Sequence, residues 1–182
     1  METANFDRLF VVTGGPGSGK STLIEALKEH GICTMPEAGR AIIQDQVAIA
    51  GEALPWSDRL AFAELMLSWE MRSYRAALRL TDPVIFDRGV PDVIGYLRWC
   101  GLAIPAHMSR AAQMFRYHRR AFIAPPWAEI FALDTERKQT FEEAQATYDA
   151  MIETYSALGY SLIPLPLDLV QKRVDLVLSV VG

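Results

Sequence analysis

Short apolar runs alternate with longer stretches in which apolar residues recur at helical spacing along most of this chain. This alternation is typical of βαβ units built around a parallel sheet. Five runs predict strands, and because they are continuously apolar, we expect them to be buried on both faces of the sheet. They cover 9–12, 32–35, 84–86, 121–124 and 160–163.

Turn and capping residues mark the ends of two helices in the first half of the chain. One helix is predicted over about 38–50, because Gly51 provides a stop signal. A long helix is predicted to begin after Ser57, a candidate N-cap, and to end before Asp82-Pro83.

Similar signals place the remaining helices. A helix is predicted directly after the glycine-rich segment at residue 14, with Gly31 just past its end. Pro91 and Pro105 are expected in the first turns of two shorter helices. The segment 140–143 fits a capping box, and the last helix is predicted to start near Asp168.

The glycine-rich segment fits the P-loop pattern G-x-x-x-x-G-K-[ST], and it has a strand before it and a helix after it. Its glycines allow backbone N–H groups to point at an anion, and the helix start adds partial positive charge. Lys20 can reach the β- and γ-phosphates, and the Ser21 hydroxyl can ligate Mg²⁺. The predicted residues for binding Mg-ATP are Gly14, Gly15, Pro16, Gly17, Ser18, Gly19, Lys20, Ser21 and Thr22.

Asp87 and Arg88 follow the third predicted strand and narrow the class of P-loop protein. A carboxylate at that position can hold Mg²⁺, as a Walker B group does, although Asp-Arg-Gly is also common turn chemistry. Motor ATPases usually place a glutamate after the aspartate to activate water. Arg88 is suited instead to binding a phosphate or a substrate, which favours a kinase.

Glu37 ends the second strand region, and the carboxyl ends of parallel strands open onto one ligand crevice. We therefore expect Glu37, Asp87 and the P-loop to converge. Glu37 can accept a proton from a substrate hydroxyl, and Arg40 can pair with a substrate anion. The alternative for Glu37 is a carboxylate that complements a helix dipole.

Arg137 and Lys138 lie in a polar stretch before a predicted helix. A segment at about 134–140 can act as a lid that brings Arg137 to the transferring phosphoryl group. An ordinary solvated turn fits the composition equally well.

Composition limits the remaining function classes. The 182 residues, 51% of them hydrophobic, predict one domain over 1–182, and a net charge of −4 argues against general nucleic-acid binding. Cys33 and Cys100 form no metal or disulfide motif. No signal peptide or membrane span is evident, so we expect a soluble, cytoplasmic protein; the sequence leaves its oligomeric state open.

Two further strings bear on partners. No N-K-x-D string for guanine recognition occurs, and the D-x-x-G match at 92–95 does not directly follow a strand, so we interpret it as coincidence. The basic run 116–120 predicts either a helix C-terminus or part of a phosphate-facing rim.

Four segments together resemble the small predicted P-loop ATPase and kinase family related to the nicotinamide riboside kinase domain of NadR-type proteins, an AAA domain. They are GGPGSGKST at 14–22, PEAGR at 36–40, FDRG at 86–89, and a tail from 126–127 through 134–137 to 155–160. The resemblance implies a three-layer α/β domain with a five-stranded parallel sheet in the order 2-3-1-4-5. It also implies Glu37 or Asp87 as the base, Arg88 toward the acceptor, Arg137 in the lid and adenine near 166–168.

These residues predict a Mg-ATP-dependent kinase that phosphorylates a hydroxyl of a small acceptor, with nucleoside-like acceptors as one class. We expect the acceptor pocket to be built from 52–74 and 90–115, where aromatic residues can stack on a ring or simply form core. The alternatives are a nucleotide-dependent switch or slow ATPase, and a polynucleotide kinase, which the net negative charge disfavours.

Overall fold

Five parallel strands form one sheet in the order β2-β3-β1-β4-β5, as the resemblance implied. The computed structural model describes residues 6–132 and 140–182. The strands are β1 Leu9–Gly14, β2 Cys33–Met35, β3 Val84–Asp87, β4 Arg120–Ala124 and β5 Ser161–Pro164.

Helices lie on both faces of this sheet. Those of the described ranges are α1 Lys20–Glu29, α2 Ala38–Ala48, α3 Arg59–Ala77, α4 Val90–Trp99, α5 Ala106–Met114, α6 Ala128–Ala132, α7 Phe141–Ala157 and α8 Val170–Val181. None of them is long and apolar enough to span a membrane.

The alternation of side chains along β1 explains why both faces are covered. Leu9 and Val11 pack against α3, α4, α5 and α7, whereas Phe10 and Val12 pack against α1 and α8. Because successive strand residues point to opposite faces, a continuously apolar strand needs a helical layer on each side. The prediction of doubly buried strands is therefore confirmed for the three central strands.

The same prediction is wrong for the two edge strands. β2 and β5 contain exposed and half-buried residues, because each has a neighbouring strand on one side only. Pro164, which we expected just beyond the last strand, is its final residue and pairs with Ile123. A proline fits there because an edge strand leaves one row of backbone donors unpaired.

Several helix ends differ from the prediction by one or a few residues. The N-cap of α3 is Asp58 rather than Ser57, and its carboxylate accepts a hydrogen bond from Ala61 N at 2.9 Å. Helix α3 already ends at Ala77, and α8 begins at Val170 rather than near Asp168.

The basic run lies at the opposite end of the sheet from the glycine loop, so the prediction of a phosphate-facing rim is wrong. His118 N donates to Leu9 O at the start of β1. Arg116 Nη2 donates to Leu158 O at the end of α7, at 3.0 Å, and its Cζ lies 4.2 Å from the ring centroid of Tyr160. The Arg116 cation thus complements the C-terminus of a different helix.

Candidate functional site

The loop between β1 and α1 packs closely against the backbones of β4 and α7. Gly14 has φ 129°, and a Cβ added to it would lie 2.4 Å from Ala124 O of β4. A Cβ added to Gly15 would lie 2.4 Å from Ala144 O in the first turn of α7. Both positions therefore require glycine, because neither backbone contact can yield to a side chain.

Lys20, the first residue of α1, is only 7% exposed and points back into this loop. Its Nζ donates to Gly15 O at 2.6 Å and to Ser18 Oγ at 3.2 Å. Burial and the neighbouring Arg88 lower the pKa of Lys20 to about 7, against the opposing effect of Asp87, Glu37 and Asp92. An anion bound in the loop would favour the charged ammonium and reverse this shift.

Arg88 follows β3 directly and reaches across to the loop. Its Nη1 donates to Gly14 O at 3.0 Å, and its Nε pairs with Glu37 Oε1 at 3.3 Å. Burial works against the Arg88 charge, but Glu37, Asp92 and Asp87 outweigh it and raise the pKa of Arg88 above its ordinary value. Its Nη2 has no hydrogen-bond partner among the described residues.

Glu37 is the N-cap residue of α2 and faces Arg88 from the neighbouring strand end. Burial acts to raise its pKa, but Arg88, Lys20 and Arg40 outweigh burial and hold the pKa of Glu37 below its ordinary value. The carboxylate is therefore ionised at neutral pH. Its side chain is 33% exposed, so incoming molecules can contact it.

Asp87 lies at the end of β3 and is 6% exposed. Its Oδ1 is buried and has no hydrogen-bond partner in the part of the chain that the structure describes. Burial raises the pKa of Asp87, while Arg88 and Lys20 oppose the increase. A buried, unpartnered carboxylate oxygen beside a phosphate loop fits a Mg²⁺ ligand.

The described residues contain no cluster of three His, Cys, Asp or Glu side chains that could hold a metal by themselves. Mg²⁺ usually takes one or two protein ligands together with phosphate oxygens and water, and Asp87 and Ser21 are the candidate protein ligands here. Ser21 is exposed at the start of α1, beside Thr22, so its hydroxyl is accessible to such an ion.

Two buried residues of this region escaped the sequence analysis. Asp92, in the first turn of α4, contacts Arg88, and Arg173 of α8 donates from Nη1 to Ser18 O at 3.0 Å. In the sequence, Asp92 stands only in the D-x-x-G match that we interpret as coincidence. The available signal for Arg173 was a cation on the otherwise apolar stripe of α8 that contains Val174 and Val177.

The structure thus brings together Lys20, Glu37, Asp87 and Arg88, although up to 68 residues separate them in sequence, from Lys20 to Arg88. Arg137, Lys138 and most of the expected lid lie outside the described residues. Arg40 is exposed on α2, next to this group.

The expected acceptor region is partly core. Phe62 and Tyr74 are each 4% exposed, so they pack inside the protein, whereas Trp56 is 64% exposed. Phe62 still borders the site, because a Cβ added to Gly39 would lie 3.7 Å from its ring and 3.5 Å from Glu37 Oε1.

Solved structures with the same fold are found among kinases of nucleosides and nucleotides. A deoxyadenosine kinase from M. mycoides with bound dATP has a TM-score of 0.62 at 13% identity, covering 94% of this chain and 97% of that chain. A thymidylate kinase from Ehrlichia chaffeensis has a TM-score of 0.63 at 14% identity, covering 96% and 98%. The YorR protein of Bacillus subtilis, in complex with phosphorylated GDP, has a TM-score of 0.61 at 12% identity, covering 95% of each chain. At these identities the likeness shows the fold alone.

Among curated protein sequences, none matches this chain. The family model AAA_28, described as an AAA domain, matches residues 9–173, from the first residue of β1 to Arg173 in α8. The match includes the glycine loop and every residue of the cluster around Arg88. The relation to NadR-type proteins is finer than this match and stays a prediction. The chain belongs to the AAA_28 family of AAA domains.

Proposed function

We propose that this protein is a Mg-ATP-dependent kinase that transfers the γ-phosphoryl group of ATP to a hydroxyl of a small acceptor. The observation that carries the proposal is the ion pair of Glu37 and Arg88 beside Lys20 of the glycine loop. It combines an accessible carboxylate with a cation at the position that a γ-phosphate would face. Such an arrangement suits transfer to a hydroxyl.

The glycine loop 14–19 would hold the phosphates through backbone N–H groups and the N-terminus of α1, and Lys20 would neutralise the β- and γ-phosphates. Asp87 Oδ1 and the Ser21 hydroxyl would hold Mg²⁺, with Thr22 beside them. The ion would neutralise charge on the phosphate oxygens as the transfer proceeds.

Glu37 is the better of the two candidate bases. In the transfer, the acceptor oxygen bonds to the γ-phosphorus, the bond from that phosphorus to the bridging oxygen of ADP breaks, and the hydroxyl proton moves to a carboxylate. Glu37 is ionised and accessible, whereas burial raises the pKa of Asp87 and its free oxygen suits Mg²⁺. Arg88, with Nη2 unpartnered among the described residues, would bind the transferring group or the acceptor.

Arg137 would approach the phosphoryl group from a lid segment at about 134–140, which completes the proposed charge neutralisation. Nucleoside-like acceptors are the first class to test, because two kinases of the same fold are named for deoxyadenosine and thymidylate.

The test is ADP release from MgATP across a panel of nucleosides and small alcohols. At least one compound should stimulate turnover well above background. With that compound, Glu37→Gln should lower kcat by about 100-fold or more, the usual scale for a general base, and leave MgATP affinity within a few-fold. Glu29→Gln, at the exposed end of α1, is the matched control and should leave both unchanged.

Tight MgATP binding without stimulation by any compound would instead support the nucleotide-dependent switch or slow ATPase. Stimulation by polynucleotide 5′ ends with a steep dependence on salt would support the polynucleotide kinase. An unchanged kcat in Glu37→Gln would remove Glu37 as the base and leave Asp87 as the remaining candidate.

A further inference from the structure

Arg88 has an unusual backbone conformation at the centre of the site. Its φ is 74°, and among the described residues only Ala50 shares a positive φ without being glycine. A long side chain in this left-handed region is strained, so the conformation persists only where surrounding contacts enforce it. One contact is the hydrogen bond from Arg88 N to Val12 O at 3.0 Å.

Asp92, one helical turn later, supplies further contacts. Its Oδ1 accepts from Arg88 Nη1 at 3.3 Å, and its Oδ2 accepts from Gly89 N at 2.9 Å. The carboxylate therefore accepts hydrogen bonds both from the side chain of Arg88 and from the backbone N–H immediately after it. Together with the Val12 carbonyl, these bonds enclose the strained residue on both sides.

Asp92 is itself fixed from two other elements. Thr13 Oγ1 of β1 donates to Oδ1 at 2.5 Å, and the Tyr155 hydroxyl of α7 donates to Oδ2 at 2.6 Å. Burial and the nearby Asp92 raise the pKa of Tyr155 well above its ordinary value, so its hydroxyl remains a donor. With four donors on its two oxygens, Asp92 has a fully satisfied carboxylate although it is only 5% exposed.

The donors to the Asp92 carboxylate differ in charge and therefore in role. Thr13 and Tyr155 are neutral donors that hold it in place, and Arg88 is its cationic partner. A short hydrogen bond to a buried carboxylate is stronger than one between neutral groups, which makes this anchorage stiff. A substitution of Tyr155 should therefore alter the position of the Arg88 side chain through Asp92, although Tyr155 and Arg88 are not in contact.

We infer that Asp92, anchored by Thr13 and Tyr155, is the positioning residue that keeps Arg88 in its left-handed conformation, with its guanidinium against Gly14 and Glu37. This inference rests on the proposed role of Arg88 in phosphoryl transfer. Neither Asp92 nor Tyr155 touches the reacting atoms in this scheme, and both act through Arg88.

A double-mutant cycle tests the inference. Tyr155→Phe removes one donor to Asp92 and keeps the ring, so it should fold. It should lower kcat by roughly 3- to 10-fold, the scale of one hydrogen bond, and leave acceptor KM and MgATP affinity within about twofold. Asp92→Asn should lower kcat further. Tyr148→Phe, a half-buried tyrosine on the same helix, should have no effect.

The decisive comparison is made in an Arg88→Lys background. If Tyr155 acts through Arg88, Tyr155→Phe should then change kcat by less than about twofold, because the interaction it supports is already lost. Equal fold losses in both backgrounds, or no loss in the wild-type background, would overturn the inference in favour of a purely structural contact.

A second readout separates this inference from the proposed function. The Nε–H resonance of Arg88 in the ¹⁵N NMR spectrum, assigned by its disappearance in Arg88→Lys, needs no acceptor. It should be sharp in the wild type and in Tyr148→Phe, and should broaden or shift in Tyr155→Phe. If no acceptor is phosphorylated, the proposed function fails, and the cycle is measured on intrinsic MgATP hydrolysis together with this resonance. An unaltered resonance in Tyr155→Phe would overturn the inference alone.

Discussion

Lys20 is held by two oxygen atoms of its own loop, Gly15 O and Ser18 Oγ. These two bonds hold the ammonium inside the loop. A phosphate bound there would replace Gly15 O and Ser18 Oγ as its partners, or would bind it together with them. Burial, together with the neighbouring Arg88, lowers the pKa of Lys20 to about 7. A bound triphosphate would raise the pKa of Lys20, because its negative charge favours the ammonium form that burial disfavours.

Lys20→Ala should abolish MgATP binding measured by calorimetry, while the circular dichroism spectrum and cooperative unfolding remain. The reason is the loss of the single buried ammonium in the loop, together with its hydrogen bonds to the loop. Lys28→Ala, an exposed lysine of the same helix, is the control and should bind normally. Unchanged affinity in Lys20→Ala would contradict nucleotide binding at this loop.

At this scale the sequence predicted charged residues that lie at the carboxyl end of a strand or just beyond it. Asp87 and Glu37 could be placed because parallel strands present their carboxyl ends together. Asp92 could not, because its partners Thr13 and Tyr155 lie 79 and 63 residues away and no local pattern reports such contacts. The roles of the predicted residues stay proposals.

Helix α3 carries one charged residue on its buried face. Glu70 is 3% exposed among apolar neighbours such as Leu67 and Tyr74. Burial raises the pKa of Glu70 well above its ordinary value, and Asp92 adds to the increase while Arg88 opposes it. The folded protein therefore binds this proton more tightly than the unfolded chain does.

The sign of the pH dependence follows from the raised pKa. Stability from protonated Glu70 is complete below the unfolded pKa of about 4.3 and is lost as pH rises through the higher folded pKa. Glu70→Gln should therefore raise the melting temperature at pH 8 by about 2–4 °C, roughly 1 kcal/mol for a chain of this size, and by less at pH 5. Thermal unfolding at both pH values measures this, with Glu29→Gln as control. An equal change at both pH values would contradict it.

Elements themselves were predicted well where a long periodic run or a capping signal existed, as for α7 with its capping box at Thr140. Ser57 and Asp58 are both good N-cap residues, so local preference could not choose between them, and only the bond to Ala61 N shows that Asp58 is the cap. The exposure of β2 and β5 depends on strand order, which is a property of the whole sheet.

At the scale of the whole molecule, Arg173 connects the glycine loop to α8. Arg173 is 2% exposed, and its Nη1 bond to Ser18 O spans 155 residues. Its Nε and Nη2 are buried and have no hydrogen-bond partner within the described ranges, which lowers the free energy of unfolding. The guanidinium therefore holds the glycine loop in place, but its burial lowers the stability of the folded protein.

Arg173→Met should weaken MgATP binding by roughly tenfold, because the loop loses its anchor to α8, and it should change the free energy of unfolding by less than about 1 kcal/mol. The small stability effect is expected because an apolar chain of similar length replaces unpartnered donors. Calorimetry and denaturant unfolding measure the two quantities. Lys172→Met, an exposed neighbour on α8, is the control. Full affinity in Arg173→Met would show that the loop needs no such anchor.

The long-range bond from Arg173 to the loop also bears on the order of events during synthesis. The glycine loop leaves the ribosome early, but its supports, Ala124, Ala144 and Arg173, emerge later and in that order. A nascent chain that lacks α8 would contain every residue of the glycine loop and still present it without its anchor. Nucleotide binding should therefore appear abruptly, once α8 has emerged from the ribosome, rather than grow steadily with chain length.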